Sequence, residues 1–91
     1  MRVRAHLLVS GRVQGVGFRW AVEDAARDEG VTGWVRNLPD GCVEAVFEGE
    51  ETQVRRMVAF CRRGPAAARV DDLQATCEEY TGEFEGFSIR R

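Results

Sequence analysis

Apolar and polar residues alternate from Val3 to Val9. Val3, Ala5, Leu7 and Val9 fall on one side, and Arg2, Arg4, His6 and Ser10 on the other. A period of two predicts a half-buried strand, and Leu8, which breaks the alternation, implies that its second face is partly covered. From Phe18 the period becomes helical, with Phe18, Ala21, Val22 and Ala25 at i, i+3, i+4 and i+7. This first helix runs to Glu29, is supported by Glu23 and Arg27 four residues apart, and stops at Gly30, a residue that accepts a left-handed cap. Val31 to Asn37 and Cys42 to Glu48 read as the second and third strands. Between them, in Leu38-Pro39-Asp40-Gly41, Pro presets φ, Asp tolerates the bend and Gly supplies a positive φ, so the two strands form a hairpin. In the third strand Val43, Ala45 and Phe47 face one way and Glu44 and Glu48 the other, and Gly49 ends it. A second helix begins near Glu50 or Glu51, carries the stripe Val54, Met57, Val58 and Cys61, and closes on Arg62-Arg63 before Gly64-Pro65. Acids first and bases last is the order that the helix dipole favours. Val70 to Tyr80 is a fourth strand, interrupted at Asp71-Asp72 as by a bulge, and Phe84 to Arg90 is a short last strand.

The order β-α-β-β-α-β with an extra C-terminal strand predicts an α+β, ferredoxin-like sandwich: an antiparallel sheet with two helices on one face. With 91 residues and neither repeat nor linker, one domain over 1–91 is expected. The β-α-β crossover makes the first and second strands run the same way, so their C-terminal ends share one edge of the sheet. The first of these ends leads into Gly11-Arg12-Val13-Gln14-Gly15-Val16-Gly17-Phe18-Arg19, a glycine-rich strand-to-helix turn. There the backbone amides lack partners, the helix dipole is positive, and Arg19 adds a planar charged fork. Together they describe a cradle for one phosphate-sized anion; a merely structural turn is the other reading. The spacing matches neither a Walker A loop nor the dinucleotide fingerprint. The second end carries Asn37, on the face that packs under the first helix. It either brings a neutral amide beside the cradle or only shapes the turn that follows it.

Composition narrows the chemistry. The net charge of −2 implies no broad basic surface and argues against nucleic acid as a partner. The chain contains no lysine, which excludes Schiff-base and lysine-base mechanisms. Cys42, Cys61 and Cys77 are odd in number and widely spaced, with no CxxC pair, so no zinc or other metal site is expected. There is no apolar leader and no membrane-length apolar run, and a reduced, cytoplasmic setting is the default expectation. His6, the lone histidine, lies in mid-strand and reads as structural or solvent-facing; Asp40 belongs to the turn; Arg12 and Arg36 read as solvated surface charges, the other reading being that they raise the local anion concentration. Trp20 and Trp34 read as packing residues, with substrate stacking as the other reading, and Trp34 is placed on the sheet face away from the helices, where covering it would need a loop or a partner.

Gly11-Arg12-Val13-Gln14-Gly15-Val16-Gly17-Phe18-Arg19 resembles the first signature of the acylphosphatases, G-x-V-Q-G-V-x-F-R. Gly33-Trp34-Val35-Arg36-Asn37, followed by Gly41, Val43 and Gly49, resembles the second. The order of elements fits as well, so the likeness covers the whole chain. It implies hydrolysis of small acyl phosphates to a carboxylate and inorganic phosphate, with no cofactor. The phosphate-binding loop would be Gln14, Gly15, Val16, Gly17, Phe18 and Arg19. Arg19 would bind the phosphoryl group and Asn37 would position the attacking water. A small-molecule acyl phosphate is the expected partner, with neither nucleic acid nor membrane, and a monomer is expected. Two other readings compete: an RNA-binding module, which the strands contradict by offering no exposed aromatic set beside basic residues, and an acylphosphatase-like regulatory domain of a larger carbamoyl-transfer protein.

Overall fold

The computed structural model describes residues 1–91. Its elements are β1 (Arg2–Arg12), α1 (Phe18–Glu29), β2 (Thr32–Asn37), β3 (Val43–Glu50), α2 (Glu51–Arg63), β4 (Arg69–Glu78) and β5 (Phe87–Ile89). They form one five-stranded sheet in the order β4-β1-β3-β2-β5. β1 pairs antiparallel with β3 and β4, and β3 pairs antiparallel with β2. The first four strands thus have the expected ferredoxin-like arrangement.

The core explains why these segments take these forms. Ala5, Leu7 and Val9 of β1, Val35 of β2 and Val43, Ala45 and Phe47 of β3 form the helix-facing layer, at period two. Above them lie Phe18, Val22 and Ala26 of α1 and Val54, Met57 and Cys61 of α2. The buried line of α1 is therefore one step round from the expected stripe, with Ala26 in place of Ala21. Gly30 caps α1 in the left-handed region as expected, and Glu23 pairs with Arg27 at 3.1 Å. Gly33 lies so close to β3 that a Cβ there would fall 1.8 Å from the Val46 carbonyl oxygen, which leaves glycine as the residue that fits. The bulge in β4 is at Asp71: Ser10 pairs with Asp72 and Gly11 with Val70, leaving Asp71 without a partner across the strand.

Two expectations about the strands change. β3 continues through Gly49 to Glu50, the residue before α2. The last strand is only Phe87–Ile89, and it pairs parallel with β2, so the sheet is mixed. The cause is topological: β4 ends beside the start of β1, and β1 and β2 run the same way. A chain that crosses the sheet at that edge enters alongside β2 in β2's own direction. Glu48 faces away from the helices, as its place in the alternation implies, and is fully buried.

Residues 79–86 cross over the outer face of the sheet, and Glu48 holds them there. Its carboxylate accepts from the Thr81 and Gly82 amides at 2.9 and 3.0 Å, from the Thr81 hydroxyl at 3.1 Å, and from Arg4 Nη1 at 3.3 Å. Arg4 is shared with Glu78 and Glu83. On the same face His6 Nε2 and Arg36 Nε both lie 2.6 Å from the Glu44 carboxylate. Trp34 has the guanidinium groups of Arg36 and Arg90 over it at 5.2 and 5.0 Å. Arg36 is thus a paired, packing residue and not the free surface charge expected.

Removing the Glu48 carboxylate leaves the Thr81 and Gly82 amides without their partner, while Arg4 keeps Glu78 and Glu83. Glu48→Ala is therefore expected to lower the unfolding free energy by about 2 kcal/mol, from the lost charge-assisted hydrogen bonds and the space left by a buried side chain. Urea denaturation measures it; a loss under about 1 kcal/mol would show that Glu48 does not hold the crossing segment.

Candidate active site

β1 delivers the chain to the loop and Val13, 1% exposed, anchors it in the core. Gly15 and Gly17 then have φ of 73° and 78°. A Cβ at either would meet nothing within 4 Å, so the backbone angle and not the space demands glycine there. Gly17 is the N-cap of α1, and no side chain caps the helix and no acid sits in its first turn. The first helical bond is from the Ala21 amide to the Gly17 carbonyl at 3.0 Å; the amides of Gly15, Val16, Gly17, Phe18 and Arg19 donate to no backbone carbonyl. Of these residues Gly15, Gly17, Phe18 and Arg19 line one opening at the positive end of the helix, while Val16 and Gln14 are not in its lining.

Each loop residue contributes differently. Phe18 is 2% exposed and packs in the core, so it brings only its amide. Val16 packs against the core from its edge. Arg19 is half-buried and lines the opening, and it forms no ion pair with any carboxylate. Gln14 does something the sequence did not show. Its Nε2 donates to the Leu38 carbonyl at 2.8 Å and to the Cys42 carbonyl at 2.9 Å, so its side chain braces the loop against the β2–β3 turn. Only that pairing across 24 and 28 residues reveals the role, and no local signal carries it.

Asn37 is the last residue of β2, paired with Val43 of β3. Its Oδ1 is buried and accepts no hydrogen bond from the protein. The turn beyond it closes without that side chain. The Leu38 amide donates to the Cys42 carbonyl at 2.8 Å, the Gly41 amide to the Leu38 carbonyl at 3.1 Å, and the Cys42 amide to Asp40 Oδ1 at 3.0 Å. Asp40 is the turn residue that the sequence implied.

One cavity of about 160 Å³ collects Val13, Gly15, Gly17, Phe18, Arg19, Trp20 and Asn37. The loop and the end of β2 do meet, as the crossover requires. The lining contains a guanidinium, a carboxamide and free amides, but no carboxylate, imidazole or thiol. Such a site suits an anion and a neutral water. Trp20 departs from expectation: it is 72% exposed on the rim instead of packed. His6 is engaged with Glu44, away from this edge. No three His, Cys, Asp or Glu side chains are grouped so that they could hold a metal ion. Burial pushes the Cys61 thiol up to about 12. Burial and the hydrogen bond to Asp40 raise that of Cys42, so neither offers a ready thiolate at neutral pH.

A family model described as Acylphosphatase matches residues 5–89. The chain belongs to the acylphosphatase family. As a member it is a hydrolase of that family. It is 57% identical over 86 residues to an acylphosphatase from Roseiflexus sp. (strain RS-1), an alignment covering 94% of this chain and 92% of that one. It is similar in structure to the acylphosphatase from Bacillus subtilis, with a TM-score of 0.93 and 35% identity over 98% of this chain and 99% of that chain. It is also similar to T. kodakarensis HypF, with a TM-score of 0.83 and 30% identity, where all of this chain matches 12% of that one. No helix is long and apolar enough to cross a membrane.

The bracing role of Gln14 has a sharp test, because its two partners are both carbonyl oxygens. Gln14→Ala removes two hydrogen bonds and is expected to cost about 1–2 kcal/mol of stability. Gln14→Glu keeps the shape but aims an acceptor at two acceptors, so it should cost more than Ala at neutral pH. Thermal or urea unfolding decides; a Gln14→Glu protein as stable as wild type would contradict the assignment.

Proposed function

We propose that this chain, as one domain over residues 1–91, hydrolyses the carboxyl-phosphate bond of small acyl phosphates to a carboxylate and inorganic phosphate. The observation that carries this reading is the pairing, in one cavity, of an ion-unpaired Arg19 with the buried, unpartnered Oδ1 of Asn37. A buried acceptor without a partner is costly, and a water that donates to it would relieve that cost. The free loop amides supply the rest of the anion site.

The phosphoryl group binds among the amides of Gly15 to Arg19, and the Arg19 fork takes two of its oxygens. Asn37 Oδ1 accepts one hydrogen of a water and sets the water's lone pair toward phosphorus. The new P–O bond forms as the P–O bond to the acyl oxygen breaks, and the carboxylate leaves with the electron pair. A carboxylate is a good leaving group, so no general acid is required. The cavity lining has no ionisable base, so the water's proton passes to a non-bridging phosphoryl oxygen. Charge spread over those oxygens is what the amides and Arg19 stabilise, and alignment is what Asn37 supplies. No covalent enzyme intermediate and no metal enters the scheme. The proposal is completed by a monomer in a cytoplasmic setting.

Purified protein treated with a chelator is expected to hydrolyse benzoyl phosphate, and in ¹⁸O-water the label should enter phosphate. Arg19→Lys keeps the charge but loses the fork, and should lower kcat/KM on the order of a hundredfold with the fold intact. Label in benzoate, no turnover, or complete loss on chelation restored by one metal would each refute the scheme.

A further inference from the structure

Trp20 is the one large aromatic ring that the fold leaves uncovered. Phe18, Phe47 and Phe87 are buried, and Phe60 packs against the core. Trp34 lies under Arg36 and Arg90, Phe84 under Arg4 and Arg90, and Tyr80 under Arg2. Trp20 is 72% exposed, and the only other large apolar side chain exposed is the terminal Met1. It is also the residue after Arg19 and lines the same cavity as Arg19 and Asn37. The other apolar lining residues, Val13 and Phe18, are 1% and 2% exposed and offer almost no free surface.

A substrate of the proposed reaction has two parts. When its phosphoryl group occupies the loop, its acyl group must lie at the mouth of the cavity. The apolar surface available there is the indole. The lining carries no carboxylate and, beyond Arg19, no cation, so nothing there selects a charged acyl group. We infer that Trp20 is the acyl subsite: a π surface that takes planar, conjugated acyl groups, aromatic above all, in preference to small saturated ones. A benzoyl-type ring conjugated with its carbonyl is flat and can lie against an indole, and such stacking adds to the burial of apolar area. The inference rests on the acyl phosphate reading and names its substrate class.

The test compares benzoyl phosphate with acetyl phosphate in wild type, Trp20→Ala and Trp20→Phe. Trp20→Ala is expected to lower kcat/KM for benzoyl phosphate about tenfold, mainly through KM, the scale seen for losing one stacked aromatic partner. For acetyl phosphate, kcat/KM should stay within about twofold, with competitive inhibition by inorganic phosphate and the melting temperature unchanged, because neither uses an exposed ring. Trp20→Phe should retain most of the benzoyl preference. Equal losses on both substrates, or none on either, would overturn the subsite while leaving the hydrolysis intact. A wild-type protein that turns over neither substrate would overturn the acyl phosphate reading and the subsite with it.

Discussion

The carboxamide of Gln14 ties together directly the two stretches of chain that meet at the site. By donating to the Leu38 and Cys42 carbonyls it fixes the glycine loop against the turn after β2. Arg19 and the free amides come from the first stretch, and Asn37 from the second. Everything larger in the fold serves to bring these ends within reach of that bridge. β1 and β2 run the same way because each pairs antiparallel with β3 between them, so both end at one edge. α1 starts at that edge and is pinned over it by Phe18, Val22 and Ala26. The bridge then holds the loop against the turn, and fixed positioning is what separates a bound anion from a reacting one.

Arginine is used in two opposite ways. On the outer face Arg4 and Arg36 are tied to Glu48, Glu78, Glu83 and Glu44 and cover aromatic rings. Burial alone would raise the pKa of Glu44; the hydrogen bonds from His6 and Arg36 outweigh it and hold that carboxyl below the usual range. Those charges are spent on stability. Arg19 is kept out of any such pair and stands beside free amides. A guanidinium without a carboxylate partner, at a helix start without acids, keeps its full attraction for an external anion.

Much of this was legible along the chain because it is local. α1 spans the predicted Phe18–Glu29, and the stripe of α2 packs as its spacing implies. The two signature stretches named Arg19 and Asn37, and the crossover rule placed them at one edge. What escaped was non-local. Gln14 was read as part of the anion loop because its partners lie in a turn that no pattern connects to it. The burial of Glu48 could not be read from its strand because the residues that bury it return from the far edge of the sheet. Trp20 read as a packing residue because helical position does not say that the helix begins at the rim of a cavity. The parallel pairing of β5 depends on where β4 ends, which no period in the sequence records.

The central claim is that Asn37 aligns water while Arg19 and the loop hold the phosphoryl group, and one variant examines it most directly. In Asn37→Ala the account predicts a fall in kcat on the order of a hundredfold, with inhibition by inorganic phosphate nearly unchanged. The melting temperature should also hold, since the lost Oδ1 bonds to nothing in the protein and the turn closes through Asp40 and Gln14. A variant with a clearly lowered melting temperature that still turns over at a near-normal rate when folded would contradict the account and make Asn37 a turn residue.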